Sequence, residues 1–435
     1  MSRLHVESRY ETITCNEEYK QDNLYKYLEA EAFAELENLI LSFRGGQEAD
    51  AIDFLTISTR RNVGKIICAK NYVGLIQMKN GYQIQILPKI ANCGENDTKR
   101  TFLKMLRSMK DFPSKVFNEA SLKTDQMNLY EVFISMYIQE VRHLVKRGIK
   151  SAYQSVQENV GFYKGKLIVN EQIKKNLVHK ERFYVKYDCY NVNRSENKLI
   201  KSTLIKLITL SSSAENIKEM WQLLTNFEMV ESSKNYVKDF SKVVLDRNTK
   251  DYENLMRWSK VFLMNKSFTT FSGNTNARAL LFPMEKVFEA YVGRNMKKFL
   301  SDTEWDISLQ DKGYYLFDYK FALRPDIVLK NEKEERTIIL DTKWKLLKND
   351  SSKNYGISQG DMYQMYAYAK KYNTNEIWLI YPANSEIDNS ININFKSDDG
   401  ITVNVYFVDV QEIEESIKEL LIKLHYSHRD SYYYI

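Results

Sequence analysis

The chain has 435 residues, too many for one ordinary core, so two or three domains are expected. Apolar residues make up 43% and charged residues 28%, the balance of a folded, soluble protein, and 15 Gly with 5 Pro leave little material for long flexible linkers. A net charge of +6 without a long basic tract permits nucleic-acid binding without demonstrating it, and points to a local surface or a partner that supplies affinity.

Cys15, Cys68, Cys93 and Cys189 form no C-x-x-C, and no histidine stands at ligand spacing from a pair. They read as four reduced thiols, not as a zinc site. His5, His143, His179, His425 and His428 give no metal pair on a helix face. The start of the chain carries no apolar h-region, and no 18-residue apolar run occurs, so a cytoplasmic protein outside the membrane is expected. Val63-Gly-Lys65 lacks the first glycine, the spacing and the Ser/Thr of a phosphate loop, so no motor is visible.

In chain order, a helical stretch over 24–43 ends at Gly45-Gly46. Three strand-like runs follow at 63–69, 72–78 and 82–87, the last two joined at Asn80-Gly81 as in a type I′ hairpin. The alternation of Tyr82-Gln-Ile-Gln-Ile predicts a half-buried strand. Asp125 is placed to cap a helix that stops at Gly148. Residues 151–169 look extended, and helices are predicted at 195–212, 214–230 and 252–265.

From about residue 275 the pattern changes. Pro283 suits the first turn of a helix with an apolar stripe of Met284, Val287, Phe288, Tyr291 and Val292. Strand-like runs at 304–309, 314–322, 325–330 and 336–342 precede a helix over 359–372, with Ser358 as its cap. Strands at 377–381, 391–396 and 402–409 lead to a terminal helix over 410–424. The order predicts one mixed sheet flanked by helices, in a multidomain α+β or mixed α/β chain. Three regions are expected: 1–150 with the β segment, a mainly helical 151–270, and 271–435.

The last region holds the chemistry. Asp326 and Asp341 both border strongly apolar β runs. Asp341 and Lys343 share a strand face, and a hairpin would bring Asp326 towards Asp341. Two carboxylates suit a hard divalent ion, Mg²⁺ with Mn²⁺ as the alternative, which offsets charge on a phosphate and lowers the pKa of a water. Lys343 would orient that water, and the backbone carbonyl of Thr342 would be a further ligand. Glu289, on the preceding helix, offers a third carboxylate to the metal. Gln364 and Tyr368 share one face of the next helix, Gln364 to hold Lys343 or a water and Tyr368 to meet a phosphate.

Pro325-Asp326 with Asp341-Thr342-Lys343 resembles the motif of the PD-(D/E)xK nuclease superfamily, a mixed sheet with flanking helices, over about residues 275–435. Most of the chain also resembles McrC, the nuclease subunit of McrBC-type restriction systems. That resemblance rests on Val73-Gly-Leu-Ile-Gln-Met, Ile84-Gln-Ile-Leu-Pro-Lys-Ile90, Gly165-Lys-Leu, Asn193-Arg-Ser-Glu-Asn-Lys-Leu-Ile-Lys201, Phe288-Glu289-Ala-Tyr-Val and Asp361-Met-Tyr-Gln364-Met-Tyr-Ala-Tyr368. It implies a McrB-like AAA+ GTPase hexamer as partner, GTP bound by that partner and not by this chain, and cleavage of double-stranded, often methylated DNA. It also implies that the 1–150 region, with its β segment at 63–90, meets the partner. Two other readings are a stand-alone DNA repair or recombination nuclease and a non-catalytic adaptor on an AAA+ ring.

Overall fold

The apolar runs of the last third assemble into one mixed sheet. The computed structural model describes residues 3–7, 11–22, 24–44, 55–78, 82–90, 93–110, 112, 127–247, 249–264 and 278–426. Six strands lie in the order Asp306–Leu309, Ile327–Asn331, Arg336–Thr342, Glu376–Pro382, Thr402–Val408, Asn394–Lys396. The second and third form the expected hairpin, with Ile327 opposite Leu340 and Val328 opposite Ile339. Arg336–Thr342, Glu376–Pro382 and Thr402–Val408 then run parallel, Thr342 beside Ile380 and Ile380 beside Tyr406. Parallel strands covered on both faces need near-continuous apolar runs, and Ile377 to Tyr381 is buried throughout.

Helix Gln359–Tyr372 lays Met365, Tyr368, Ala369 and Tyr372 on the face that carries Ile339, Leu379 and Tyr381. Ser358 caps it, its side chain accepting from the Asp361 amide at 3.1 Å. Helix Met284–Leu300 packs against Arg336–Thr342 and the terminal helix Ile413–Tyr426, and none of its residues joins that cluster, which leaves it on the opposite face. Its predicted stripe of Met284, Val287, Phe288, Tyr291 and Val292 is buried. Pro283 stands one position before the expected first turn, as the extended N-cap residue. The predicted 314–322 run is two short strands, Tyr315–Phe317 and Lys320–Ala322, folded back on one another. The chain reverses there because Tyr319 takes a left-handed φ of 53°.

Packing divides the chain into two units, Met1–Phe112 with Gly273–Ile435, and Pro113–Ser272. In the first unit, Gly64–Ala69, Tyr72–Gln77 and Gln83–Leu87 match the predicted strands, but the first belongs to a separate sheet with Leu55–Arg60, Thr12–Thr14 and Tyr25–Tyr27. The Asn80-Gly81 turn lies outside the described residues, as do Gly45-Gly46 and His428; the strands flanking the turn pair Gln77 with Gln83. Gln83–Leu87, an inner strand between Arg3–Glu7 and Tyr72–Gln77, is buried along its whole length instead of on one face, and helix Glu95–Leu106 packs on it.

The outer strand beside Tyr72–Gln77 comes from far along the chain: Arg278–Pro283 pairs with it antiparallel, Leu281 opposite Gly74. Gly74 has φ 138°, and a Cβ there would overlap the Leu280 carbonyl oxygen, so only glycine fits. The Met284 amide donates to Asn71 O at 2.8 Å, and Asn71 Nδ2 donates to Glu285 at 2.7 Å. The start of the Glu289 helix is thus fastened to the N-terminal sheet.

The second unit is mainly helical. Helix Leu129–Arg147 begins at Asn128, whose side chain accepts from the Glu131 amide at 2.7 Å; the expected cap at Asp125 lies outside the described residues. This helix packs on Ala214–Leu224 and Glu253–Met264, so the boundary expected at residue 150 falls inside the unit. The buried Glu131 carboxylate accepts from Ser211 Oγ at 2.7 Å, the Ser212 amide at 2.6 Å and Asn216 Nδ2 at 2.8 Å. Ser195–Leu210 opens on the Asn193-Arg-Ser-Glu-Asn segment, whose polar residues are structural. Arg194 clasps Glu196 with two bonds of 2.7 Å. The fully buried Asn197 donates to Lys150 O and Val192 O and accepts from Tyr252. Strands Ala152–Val160 and Phe183–Asn191 pair over nine positions, with Lys166–Leu167 beside them. Among the described residues, no helix is long and apolar enough to cross a membrane.

Candidate active site

Strand alternation places Asp341 and Lys343 on the face covered by Gln359–Tyr372, where the parallel strands end. Asp326 sits one residue before the start of its strand, opposite the Asp341 end of the hairpin. Its Oδ2 accepts the Thr342 amide at 2.7 Å and the Thr342 hydroxyl at 2.6 Å. Thr342 therefore acts first through its donors, which hold one acid in place.

Asp341 is 2% exposed. Lys343 Nζ lies 2.7 Å from Asp341 Oδ2, a buried ion pair. The ammonium also donates to Gln364 Oε1 at 3.0 Å, and Gln364 Nε2 donates to the buried Tyr368 hydroxyl at 2.7 Å. The helix face read from i,i+4 spacing thus orients the lysine. Asp361 Oδ1 stands 3.8 Å from the same ammonium.

Glu289 is half-buried, and Gln310 Nε2 donates to it at 2.7 Å. The Gln310 amide donates to Asp326 O at 2.8 Å, so one residue ties the Glu289 helix to the Asp326 segment.

The electrostatics follow from burial. Burial first, and then the Asp326 charge, push Asp341 up to about 7 against the pull of Lys343. Burial and then Asp326 likewise raise Glu289 to about 7, with the Gln310 bond opposing. Asp326 is raised by burial, less so because Thr342 donates to it. Burial works against the Lys343 ammonium, but Asp341, Asp361 and Asp326 outweigh it and its pKa is raised. Burial, then Asp361 and Asp341, raise the Tyr381 hydroxyl, which is buried without a hydrogen-bond partner.

Among the described residues, no three His, Cys, Asp or Glu side chains gather into a metal-ligand group. What the site offers is a pair of hard oxygen donors, Asp326 and Asp341, that repel one another, with the Lys343 ammonium beside them. That donor set fits a divalent cation that keeps most of its own waters.

All the residues singled out in the sequence lie in this neighbourhood: Asp326, Asp341, Thr342, Lys343, Gln364 and Tyr368 by direct contacts, and Glu289 through Gln310 and the field of the two aspartates. Sequence reasoning missed Gln310, Asp361 as a partner of Lys343, and Tyr381. Asp361 lies three residues before Gln364 on the same helix, a spacing that could have marked it.

Fold and site together define a mixed α+β protein with a buried acid–lysine cluster where its central parallel strands end. A family model described as "McrBC 5-methylcytosine restriction system component" matches residues 67–382, and the chain belongs to that family. Among solved structures it is similar to a chain of the Thermococcus gammatolerans half-complex of McrB AAA+ hexamers with bound McrC. That match has a TM-score of 0.68 at 18% identity and covers 97% of this chain and 100% of that one. A second similarity, to a chain of the Thermococcus gammatolerans McrBC complex, has a TM-score of 0.50 at 20% identity and covers 69% of this chain and 89% of that one. Comparison with curated proteins gives no match.

Proposed function

We propose that the chain is the cytoplasmic endonuclease subunit of a GTP-dependent, McrBC-like restriction complex, with a PD-(D/E)xK nuclease fold in its C-terminal region. The observation that carries this reading is the buried Asp341 carboxylate, ion-paired with Lys343 at 2.7 Å and within the field of Asp326. Asp326 and Asp341 would hold Mg²⁺ or Mn²⁺, with the Thr342 carbonyl as a further ligand and Glu289 reaching it through water. The cation would offset charge building on a phosphodiester and make a water molecule more acidic.

The chain's own residues do the rest. Lys343, kept charged by its acidic neighbours and steered by Gln364, orients the attacking water and balances charge on the phosphate. The two Thr342 donors favour the ionised form of Asp326 against the effect of its burial. Tyr368 holds Gln364 from behind. Recognition of modified DNA, GTP binding and translocation fall to a McrB-like AAA+ hexamer, which this subunit binds and stimulates. One similar solved structure is of McrB AAA+ hexamers with bound McrC, and that supports an AAA+ hexamer as the partner.

The test mixes the chain, a McrB-like AAA+ GTPase from the same source, GTP, Mg²⁺ and methylated or unmethylated plasmid. Double-strand breaks only in the full mixture, lost in Asp341→Ala with partner binding intact, are expected. Undiminished cutting by Asp341→Ala would remove the site assignment. Cutting without partner or GTP would point to a stand-alone nuclease.

A further inference from the structure

Between Gln310 and Asp326 the chain leaves the sheet and forms the small hairpin of Tyr315–Phe317 and Lys320–Ala322. Its rings are not packed into a core. Phe317 is 69% exposed, Tyr319 89% and Phe321 70%. Tyr319 and Phe321 take left-handed φ values of 53° and 57°, a conformation that costs a bulky residue energy and persists where the surroundings hold it. The base of the hairpin is fixed by the Leu323 amide donating to Tyr314 O at 2.9 Å and by Tyr314 lying 4.2 Å from Tyr372, ring centre to ring centre.

Both ends of this element are the acid site. Gln310, just before it, holds Glu289 and the backbone of Asp326. Asp326 follows Leu323 by three residues.

The charges on it favour a polyanion. Lys312, Lys320 and Arg324 are exposed and form no ion pair with another described residue, whereas Asp311 is held by Tyr372, Ser308 and the Gly313 amide. Asp318 is the one other acid in the segment. Exposed rings between unpaired cations suit stacking on bases along a phosphate backbone. A second copy of this chain would set cationic hairpin against cationic hairpin.

We propose that the 314–322 hairpin is a DNA-contacting wedge whose Phe317, Tyr319 and Phe321 rings stack on bases opened beside the scissile phosphate. The proposal rests on the nuclease reading of the acid site for its placement, and its test does not depend on cutting. The full chain in complex with the McrB-like AAA+ partner and GTP would be titrated, with Ca²⁺ in place of Mg²⁺, into a labelled methylated duplex carrying 2-aminopurine at successive positions. The wild-type chain is expected to brighten 2-aminopurine at one or two positions. The variant Phe317→Ser/Tyr319→Ser/Phe321→Ser is expected to lose that signal and to bind roughly tenfold or more weakly, from the usual worth of base–aromatic stacking. Unchanged melting and circular dichroism would show that the variant is folded.

Equal binding and brightening by variant and wild type would overturn the wedge. So would failure of the wild-type chain to bind the duplex, or a variant whose one defect is lost self-association in sedimentation. If the wild type cuts DNA and the variant cuts equally well, the wedge falls and the nuclease reading stands. If nothing cuts but the hairpin-dependent signal is present, the reverse holds.

Discussion

The Thr342 amide and hydroxyl end on the same oxygen of Asp326, at 2.7 and 2.6 Å. A threonine between two motif residues is thereby part of the acid pair. Thr342→Val keeps the shape and the amide but removes the hydroxyl. Loss of a hydrogen bond to a charged group costs about 1.5–3 kcal/mol. The expected outcome is a raised Asp326 pKa, weaker Mg²⁺ binding and cutting reduced on the order of tenfold, checked by Mg²⁺ titration of the cleavage rate.

The buried Asp341 carboxylate makes the cation-free fold sensitive to pH. Its folded pKa of about 7 lies above the unfolded value, so the folded state keeps a proton that the unfolded chain has lost. Stability contributed by the protonated group is complete below the unfolded pKa, near ~4, and is lost as pH rises towards 7. Glu289 adds to the same trend. Asp341→Asn should therefore be more stable than the parent by about 1–3 kcal/mol at pH 8 in EDTA, an advantage that fades towards pH 4. Denaturant melts at the two pH values check this. Added Mg²⁺ should close the gap, and a gap that is the same at both pH values would contradict it.

Gln364 donates to Tyr368 and accepts from Lys343, so its loss frees the ammonium to move. Gln364→Ala is expected to slow cutting by roughly 10–100-fold through misplacement, with DNA binding little changed. Single-turnover rates at saturating complex would separate the two. A pure loss of affinity would argue against the orienting role.

Gly74→Ala should damage the junction of Tyr72–Gln77 with Arg278–Pro283, because its Cβ would meet the Leu280 carbonyl. A cost of about 3 kcal/mol or more is expected, seen as a lowered melting temperature. Gly64→Ala is the control: φ is also positive there, at 89°, but the space is open, so only about 1 kcal/mol should be lost. Equal losses would mean that backbone strain and not the collision sets the cost.

The site was legible where it is local. Period-two alternation put Asp341 and Lys343 on one face, and helical spacing paired Gln364 with Tyr368, before any tertiary contact was known. Gln310 and Tyr381 reach the site by strand pairing and a chain reversal, and neither has a local period that announces it. The same limit applied to the fold. The alternation in Gln83-Ile-Gln-Ile predicts one wet face, yet both glutamines are buried, with helix Glu95–Leu106 packed on the strand and Gln85 donating to Glu95. Arg278–Pro283 finds its partner far back in the chain, so its place in the N-terminal sheet could not be read from its own residues.

That distant pairing has a consequence for synthesis. The first unit is interrupted by residues 113–272, so its early strands leave the ribosome long before Arg278–Pro283 exists to cover the edge of Tyr72–Gln77. The helix that carries Glu289 starts directly after that covering strand. The nascent N-terminal sheet therefore waits with an open edge while the inserted unit is made. A truncated product cannot assemble the acid cluster, which appears only after the chain has returned to its own beginning.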